Sequence, residues 1–168
     1  MYNLKKTKKT CDFFIKAYHI YDDFIFDWVE SNAPIKKTVH AIFSKSTEDD
    51  LPKEFWIAQA SLYTDAQMIT DPKTIKKMSK DVEPYASEDE RQALSFWADN
   101  PGFWCFYAIK ETLKDNFFII EDLVTGDTHL MHSLDIAYMQ TDAVSRNKHY
   151  LSLMLPNGSC LQALGLPK

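Results

Sequence analysis

The second half of the chain contains two segments, Phe103 to Lys110 and Phe117 to Asp122, with the aromatic and branched composition of β-strands. Both are apolar on their two faces, and a strand buried on both faces needs a layer of structure on each side. We therefore predict a strongly curved antiparallel sheet, one face of which closes on itself as a half-barrel while helices cover the other. In the first strand, Phe103, Cys105, Tyr107 and Ile109 share one face, and Trp104, Phe106 and Ala108 share the other.

Further strands are predicted downstream of these two. Thr128 to His132 follows a short turn, and Tyr150 to Leu155 alternates with leucine on one side. Asn157-Gly158 predicts a two-residue hairpin turn in which both positions need positive φ, so that Ser159 to Leu164 pairs back. Residues 133–147 fit either a short helix or a loop, and the sequence does not separate the two.

The first half of the chain has helical periodicity. Proline suits a first helical turn, and Ser87 with Glu90 matches a capping box. Trp28 and Trp97 lie on apolar helical faces and are predicted to pack between the helices and the sheet. The predicted helices cover 11–31, about 35–45, a segment that begins at Asp50-Leu51-Pro52, Asp71-Pro72 to about Val82, and Ser87 to about Asn100.

These patterns predict the α+β class, with a helical N-terminal half packed on a small, strongly curved antiparallel sheet or half-barrel. Residues 11–168 are expected to form a single domain, helical over 11–100 and β-rich over 103–165. Residues 1–10 are assigned to a basic N-terminal arm that contributes little to folding, because four lysines accompany few large apolar groups. The alternative for this arm is a weak contact with nucleic acid or an acidic partner.

The charge balance argues against specific nucleic-acid recognition. The chain carries a net charge of −5, and its only arginines are Arg91 and Arg146, although arginine is the usual side chain for forked recognition of phosphate and guanine. No run of apolar residues is long enough to span a membrane. Acidic residues interrupt the apolar region after the basic start, so a signal peptide is not expected. We therefore expect a cytoplasmic protein with no membrane partner.

The cysteines Cys11, Cys105 and Cys160 are odd in number and far apart, and no C-x-x-C pair is present. This pattern predicts buried, reduced cysteines, and it indicates neither a disulfide framework nor a zinc knuckle. Burial between Trp104 and Phe106 would make Cys105 an inert thiol. The four glycines form no phosphate-binding loop. We expect no cofactor.

A series of short motifs resembles an uncharacterised bacterial family, in which a helical segment precedes a small β-barrel and some members continue into a SEC-C zinc-binding tail. This chain has Asp127 where such members often have glutamate, and it has no cysteine-rich tail. The resemblance implies the fold and no known activity. The motifs are Phe24-x-x-Asp27-Trp28, Thr38-Val39 with Phe43, Phe103-Trp104, Glu121 to Gly126, and Leu151 to Leu155 followed by Pro156-Asn157-Gly158.

One small constellation could carry chemistry. Asp127 and His129 are two residues apart, so on a strand they would share a face and form part of a metal or acid–base site. A turn-flanking aspartate and a surface histidine explain the same pair without a metal. Glu121 and Asp122 are adjacent and would point to opposite faces; we expect Asp122 to accept backbone N–H bonds in the turn before Gly126.

The sequence does not state a function, and three hypotheses stay open. The first is a non-enzymatic protein-binding or adaptor module that uses exposed tyrosines, with Tyr63, Tyr85 and Tyr138 as candidates. The second is a small-barrel nucleic-acid-binding protein that uses the basic arm. The third is a metal-dependent or hydrolytic enzyme that uses Asp127 and His129. Aromatic residues on the strands, Trp104, Phe106, Tyr107, Phe117 and Phe118, resemble a base-stacking platform, but core packing is the preferred interpretation.

Overall fold

A computed structural model describes residues 3–32, 66, 68–133, 136 and 149–164, of which 19–32 are described by their backbone only. The predicted α+β class is confirmed. The helices predicted over 35–45 and from Asp50 lie outside the described residues. The elements are α1 Leu4–Asn32, α2 Pro72–Val82, α3 Glu88–Asp99, β1 Phe103–Thr112, β2 Phe117–Asp122, β3 Thr128–His132, β4 His149–Asn157 and β5 Cys160–Leu164.

The five strands form a closed barrel in the order β1-β2-β3-β5-β4, rather than the expected half-barrel. The pair β3 and β5 is parallel, and every other pair is antiparallel. Since β4 returns beside β1 after the β1-β2-β3 meander, the connection is a Greek key. A five-stranded Greek-key barrel is also the architecture of the OB-fold. β1 pairs with β4 along its first part and with β2 along its second, and the β1–β2 pairing contains a register shift between Ile109 and Glu111.

The barrel interior is filled by the inward face that the sequence predicted for β1, together with partners from the other strands. The rings of Tyr107 and Tyr150 stack with centroids 5.6 Å apart. The Tyr107 hydroxyl lies 3.3 Å from the Ser152 hydroxyl, which supplies the hydrogen bond that a buried phenol needs. The interior cluster comprises Cys105, Tyr107, Phe118, Ile120, Met131, Ile136, Tyr150, Met154, Leu161 and Ala163.

The helices cover the outer faces of β4 and β5. Trp97 is buried in this layer, as predicted, and its indole N–H donates to the Pro156 carbonyl at 3.0 Å. The side chain of Trp28 lies outside the described residues. The caps of α2 and α3 also match the sequence prediction, because Asp71 accepts from the N–H groups of Lys73 and Thr74, and Ser87 with Glu90 forms the capping box. The principal apolar contacts join Phe14, Trp97, Leu153, Leu155 and Leu164.

The predicted boundary between residues 10 and 11 falls inside α1, which begins at Leu4. Thr7 is buried, and its hydroxyl lies 3.4 Å from the Ser159 hydroxyl in the β4–β5 turn. Leu4 packs against the small cluster that contains Phe117 and Leu130. The lysine-rich segment is therefore the start of a docked helix, and the expectation of a solvated arm is corrected for residues 4–10.

Two tight turns close the hairpins. The β4–β5 hairpin is confirmed, but its turn is displaced by one residue: Asn157 pairs with Cys160, so the loop residues are Gly158 and Ser159. Gly158 has φ +68°, whereas Asn157 does not adopt positive φ, which corrects the expected turn type. A glycine at the first loop position is typical of a type II′ turn. The β1–β2 connection places Asp115 and Asn116 at φ 58° and 61°.

Two of the three cysteines form a disulfide bond that joins Cys11 in α1 to Cys160 in β5. The prediction that these two are reduced is therefore wrong, because the tertiary structure brings together residues that are 149 positions apart in the sequence. Cys105 is a free thiol and is buried, as predicted. Among the described helices, none is long and apolar enough to cross a membrane.

Candidate interaction surface

The outer face of β1 exposes large apolar side chains. Trp104 is 46% exposed and Phe106 is 42% exposed. Phe106 pairs with Leu151 of β4, and its carbonyl accepts the Leu123 N–H at 2.7 Å just beyond the end of β2. Directly paired residues project from the same side of a sheet. Leu123, Phe106 and Leu151 therefore form a row across three neighbouring strands, and with Trp104 we call these four residues the apolar face.

The helical layer sets the border of this face. Trp104 pairs with Leu153, yet Leu153 is fully buried in the cluster that the helices cover. The described helices thus cover β4 and leave Trp104 and Phe106 on the outer side of β1 exposed. For these helices, the expectation that they cover the whole outer face of the sheet is corrected. Trp104 and Phe106, which the sequence assigned to the core, are surface residues, whereas Tyr107, Phe117 and Phe118 are buried.

The β2–β3 turn holds one end of the apolar face in a fixed conformation. The buried Asp122 carboxylate accepts from the N–H groups of Val124 at 2.8 Å and Thr125 at 3.3 Å, as predicted. These backbone hydrogen bonds, that from Val124 above all, hold the pKa of Asp122 below its usual range. Gly126 adopts φ +79° and donates its N–H to the Asp122 carbonyl. Leu123 and the more exposed Val124 are therefore presented by a rigid turn.

The rim of the apolar face carries more acid than free base. Glu121 lies two residues before Leu123 on the same strand face, and its carboxylate accepts from the Lys110 ammonium at 2.8 Å. Asp127 is exposed in the turn that presents Leu123. His149 contacts the Phe106 ring with centroids 5.7 Å apart. Among the described residues of this rim, Lys110 is paired with Glu121, and Asp127 leaves negative charge beside the apolar side chains.

The structure does not build the metal or acid–base site that Asp127 and His129 suggested. Asp127 is exposed in the turn before β3, and in the part of the chain that the structure describes no hydrogen bond or ion pair joins it to His129. His129 is half-buried on β3, opposite Ile120. Across the described residues, no group of three or more histidines, cysteines or acids could hold a metal ion.

Of the three tyrosines proposed as binding residues, Tyr85 alone lies within the described residues. Tyr85 is 75% exposed, but it lies in the turn between α2 and α3 rather than on the barrel. Tyr63 and Tyr138 lie outside the described residues. A signal for the apolar face was present in the sequence, because Leu123 and Val124 are large apolar residues directly before a Thr-Gly-Asp turn, where small and polar residues are usual.

Cys105 lies inside the barrel next to Asp122. Burial, and secondarily the neighbouring carboxylate, raises the pKa of the Cys105 thiol to about 12. The thiol is therefore protonated at neutral pH and is a poor nucleophile, as its flanking aromatic residues predicted.

Comparison with known proteins found no match to this chain: no protein-family model, no curated protein and no solved structure matches it.

Proposed function

We propose that this protein is a non-enzymatic binding module that docks another protein on the apolar face of its barrel. The observation that carries the proposal is the row of Leu123, Phe106 and Leu151 beside Trp104, in which four large apolar side chains are each more than a third exposed. Contiguous exposed apolar side chains mark interaction sites in soluble proteins. Aromatic anchors within such a patch usually supply most of the binding energy.

The partner we propose is a peptide segment with apolar anchors flanked by lysine or arginine. Asp127 borders the apolar residues with an exposed carboxylate, and the charges of Lys110 and Glu121 compensate each other across 2.8 Å. A basic flank would therefore find complementary charge at the rim, whereas an acidic flank would be repelled. In the closed barrel, β1 pairs with β4 over Phe103 to Ala108 and with β2 over Tyr107 to Thr112, and the exposed groups of the apolar face are side chains. Recognition would thus depend on side chains rather than on β-strand addition.

A nucleic-acid-binding role is the second candidate. Two exposed aromatic rings on one strand of a five-stranded Greek-key barrel resemble the stacking platforms that bind single strands. Such platforms work together with a basic groove, and the rim charges here favour the peptide instead. The lysines of residues 5–9 are on the first turns of α1, which pack against Phe117, Leu130 and Cys160 rather than against the residues of the apolar face.

Selection from a peptide library displayed on phage, using the purified chain as bait, tests both the docking and the partner class. We expect enrichment of peptides that combine aromatic or leucine anchors with lysine or arginine. The variants Phe106→Ser and Leu151→Ser should weaken binding of a selected peptide at least tenfold, because each removes an exposed anchor without disturbing the barrel interior. Tyr85→Ser is the control, since it removes an even more exposed aromatic ring from the helical side.

Two results would contradict this proposal. Selected peptides that are acidic, or that bind Phe106→Ser as tightly as the unmodified chain, would remove the apolar face as the docking site. Tight, Phe106-dependent binding of a fluorescent oligothymidylate, with no peptide enriched, would favour the nucleic-acid role. We also propose that the chain is cytoplasmic, which cell fractionation can test. We further propose that it resembles the barrel-containing bacterial family, which an experimental structure of a member can test.

A further inference from the structure

The disulfide between Cys11 and Cys160 joins the beginning of the described chain to its last strand. Both cysteines are buried, and they belong to a small cluster on the side of the barrel where α1 docks. The other apolar members of this cluster are few: Phe117 and Leu130 are buried, and Leu4, Ile15, Leu113 and Ile119 are half-buried. The covalent bond therefore lies in a thin apolar contact rather than within the main core.

The first turns of α1, which this bond holds on the barrel, carry a charge distribution that is unfavourable for a helix N-terminus. Lysines occupy positions 5, 6, 8 and 9, and the first turn of α1 has no acidic residue. Positive charge at a helix N-terminus opposes the helix macrodipole and promotes fraying. The compensating contacts are an Asn3 cap on the Lys6 N–H at 3.2 Å and a Lys8–Asp12 ion pair at 2.7 Å, both at the surface. An exposed ion pair contributes little, and the cap satisfies one N–H group of the first turn without supplying negative charge.

We propose that Cys11 and Cys160 form a reversible redox latch that controls docking of the first turns of α1 on the barrel. A low-molecular-weight dithiol would transfer two electrons and two protons to the bond, yielding two protein thiols and the cyclic disulfide of the reductant. A disulfide such as oxidised glutathione would close the latch in the reverse direction and leave as two thiols. With the latch open, the lysine-rich turns fray; with it closed, they are held on β5.

Limited trypsin digestion of the full-length chain measures the latch directly, because Lys5, Lys6 and Lys9 are exposed cleavage sites within the secured turns. A protease needs locally unfolded backbone. We expect treatment with dithiothreitol to accelerate cleavage at these lysines at least tenfold relative to protein equilibrated with oxidised glutathione. Cleavage at Lys114, in the β1–β2 turn, serves as the internal reference and should change less than twofold.

Thiol titration in denaturant accompanies the digestion. The oxidised chain should show one thiol, that of Cys105, and the reduced chain three. Cys105→Ser is the matched control and should retain the full redox response. Cys11→Ser and Cys160→Ser should each cleave at the reduced rate in both buffers. Equal cleavage of the oxidised and reduced unmodified chain would overturn the proposal. Three titratable thiols after incubation with oxidised glutathione would also overturn it. So would an equal acceleration of cleavage at Lys114 on reduction.

Discussion

Gly158 lies in the β4–β5 turn and faces Thr10 of α1. A substitution at Gly158 therefore perturbs both the turn conformation and the contact between the hairpin and α1. The φ of +68° at Gly158 disfavours any residue with a Cβ atom, and a Cβ built there lies 3.0 Å from Cγ2 of Thr10 in α1. Gly158→Ala therefore incurs two costs, one from the backbone and one from the contact. Gly126 has φ +79° with nothing within 4 Å of its Cβ position, so Gly126→Ala incurs the backbone cost alone.

The backbone cost of a left-handed alanine is about 1–2 kcal/mol, and the loss of unfolded-state freedom returns about 0.4–1 kcal/mol. Gly126→Ala should therefore reduce the free energy of unfolding by about 1 kcal/mol. In Gly158→Ala, the contact of the new methyl group with Thr10 should reduce the free energy of unfolding by about a further 1 kcal/mol. This value is at the low end of overpacking costs because Thr10 is only half-buried. Urea denaturation at pH 7 resolves this difference.

Thr10→Ser supplies the decisive control, because it removes Cγ2 and keeps the hydroxyl that donates to the Lys6 carbonyl. In the Gly158→Ala background, Thr10→Ser should restore about the added 1 kcal/mol, whereas in the Gly126→Ala background it should restore nothing. Equal destabilisation by the two glycine substitutions, with no recovery from Thr10→Ser, would refute the contact between the hairpin and α1.

Three further predictions concern single side chains. Trp97→Phe should cost about 1–3 kcal/mol in urea denaturation, because the Pro156 carbonyl and the Asn157 side chain lose their shared indole donor. Stability should fall as the pH drops below about 4, because the native state holds the pKa of Asp122 below its unfolded value; Asp122→Asn should be less stable at pH 7 and show a flatter acid profile. Asn116→Val should cost about 1–3 kcal/mol at φ 61°, whereas Asn116→Gly should not destabilise; equal melting temperatures for the two variants would contradict the left-handed turn.

The sequence predicted well the features of the fold that depend on residues close together in the chain. The capping box of Ser87 and Glu90 and the proline start of α2 depend on residues a few positions apart, and both are present. The inward set Cys105 and Tyr107 was also identified, because alternation along one strand separates its two faces. Barrel closure was underestimated, since it requires β1 to pair with β4 across the intervening strands.

The candidate site was predicted poorly because its properties are not local. Alternation shows which residues share a face, but it does not show that the helices stop at β4 and leave Trp104 and Phe106 exposed. The Cys11–Cys160 bond has no sequence signature, since its partners are 149 positions apart. Asp127 and His129 gain no third ligand, since no group of three or more histidines, cysteines or acids among the described residues could hold a metal ion.

The packing of α1 on β4 and β5 has a consequence for biosynthesis. A ribosome makes α1 first among the described elements, yet two of its barrel partners, β4 and β5, are the last of them to be made. A nascent chain that ends before residue 149 cannot bury Phe14 against Leu153 and Leu155. Incomplete chains with exposed apolar surface are prone to aggregation. We therefore expect arrested chains of this protein to depend on chaperones until β5 has emerged, at which point the first helix and the last strand can meet.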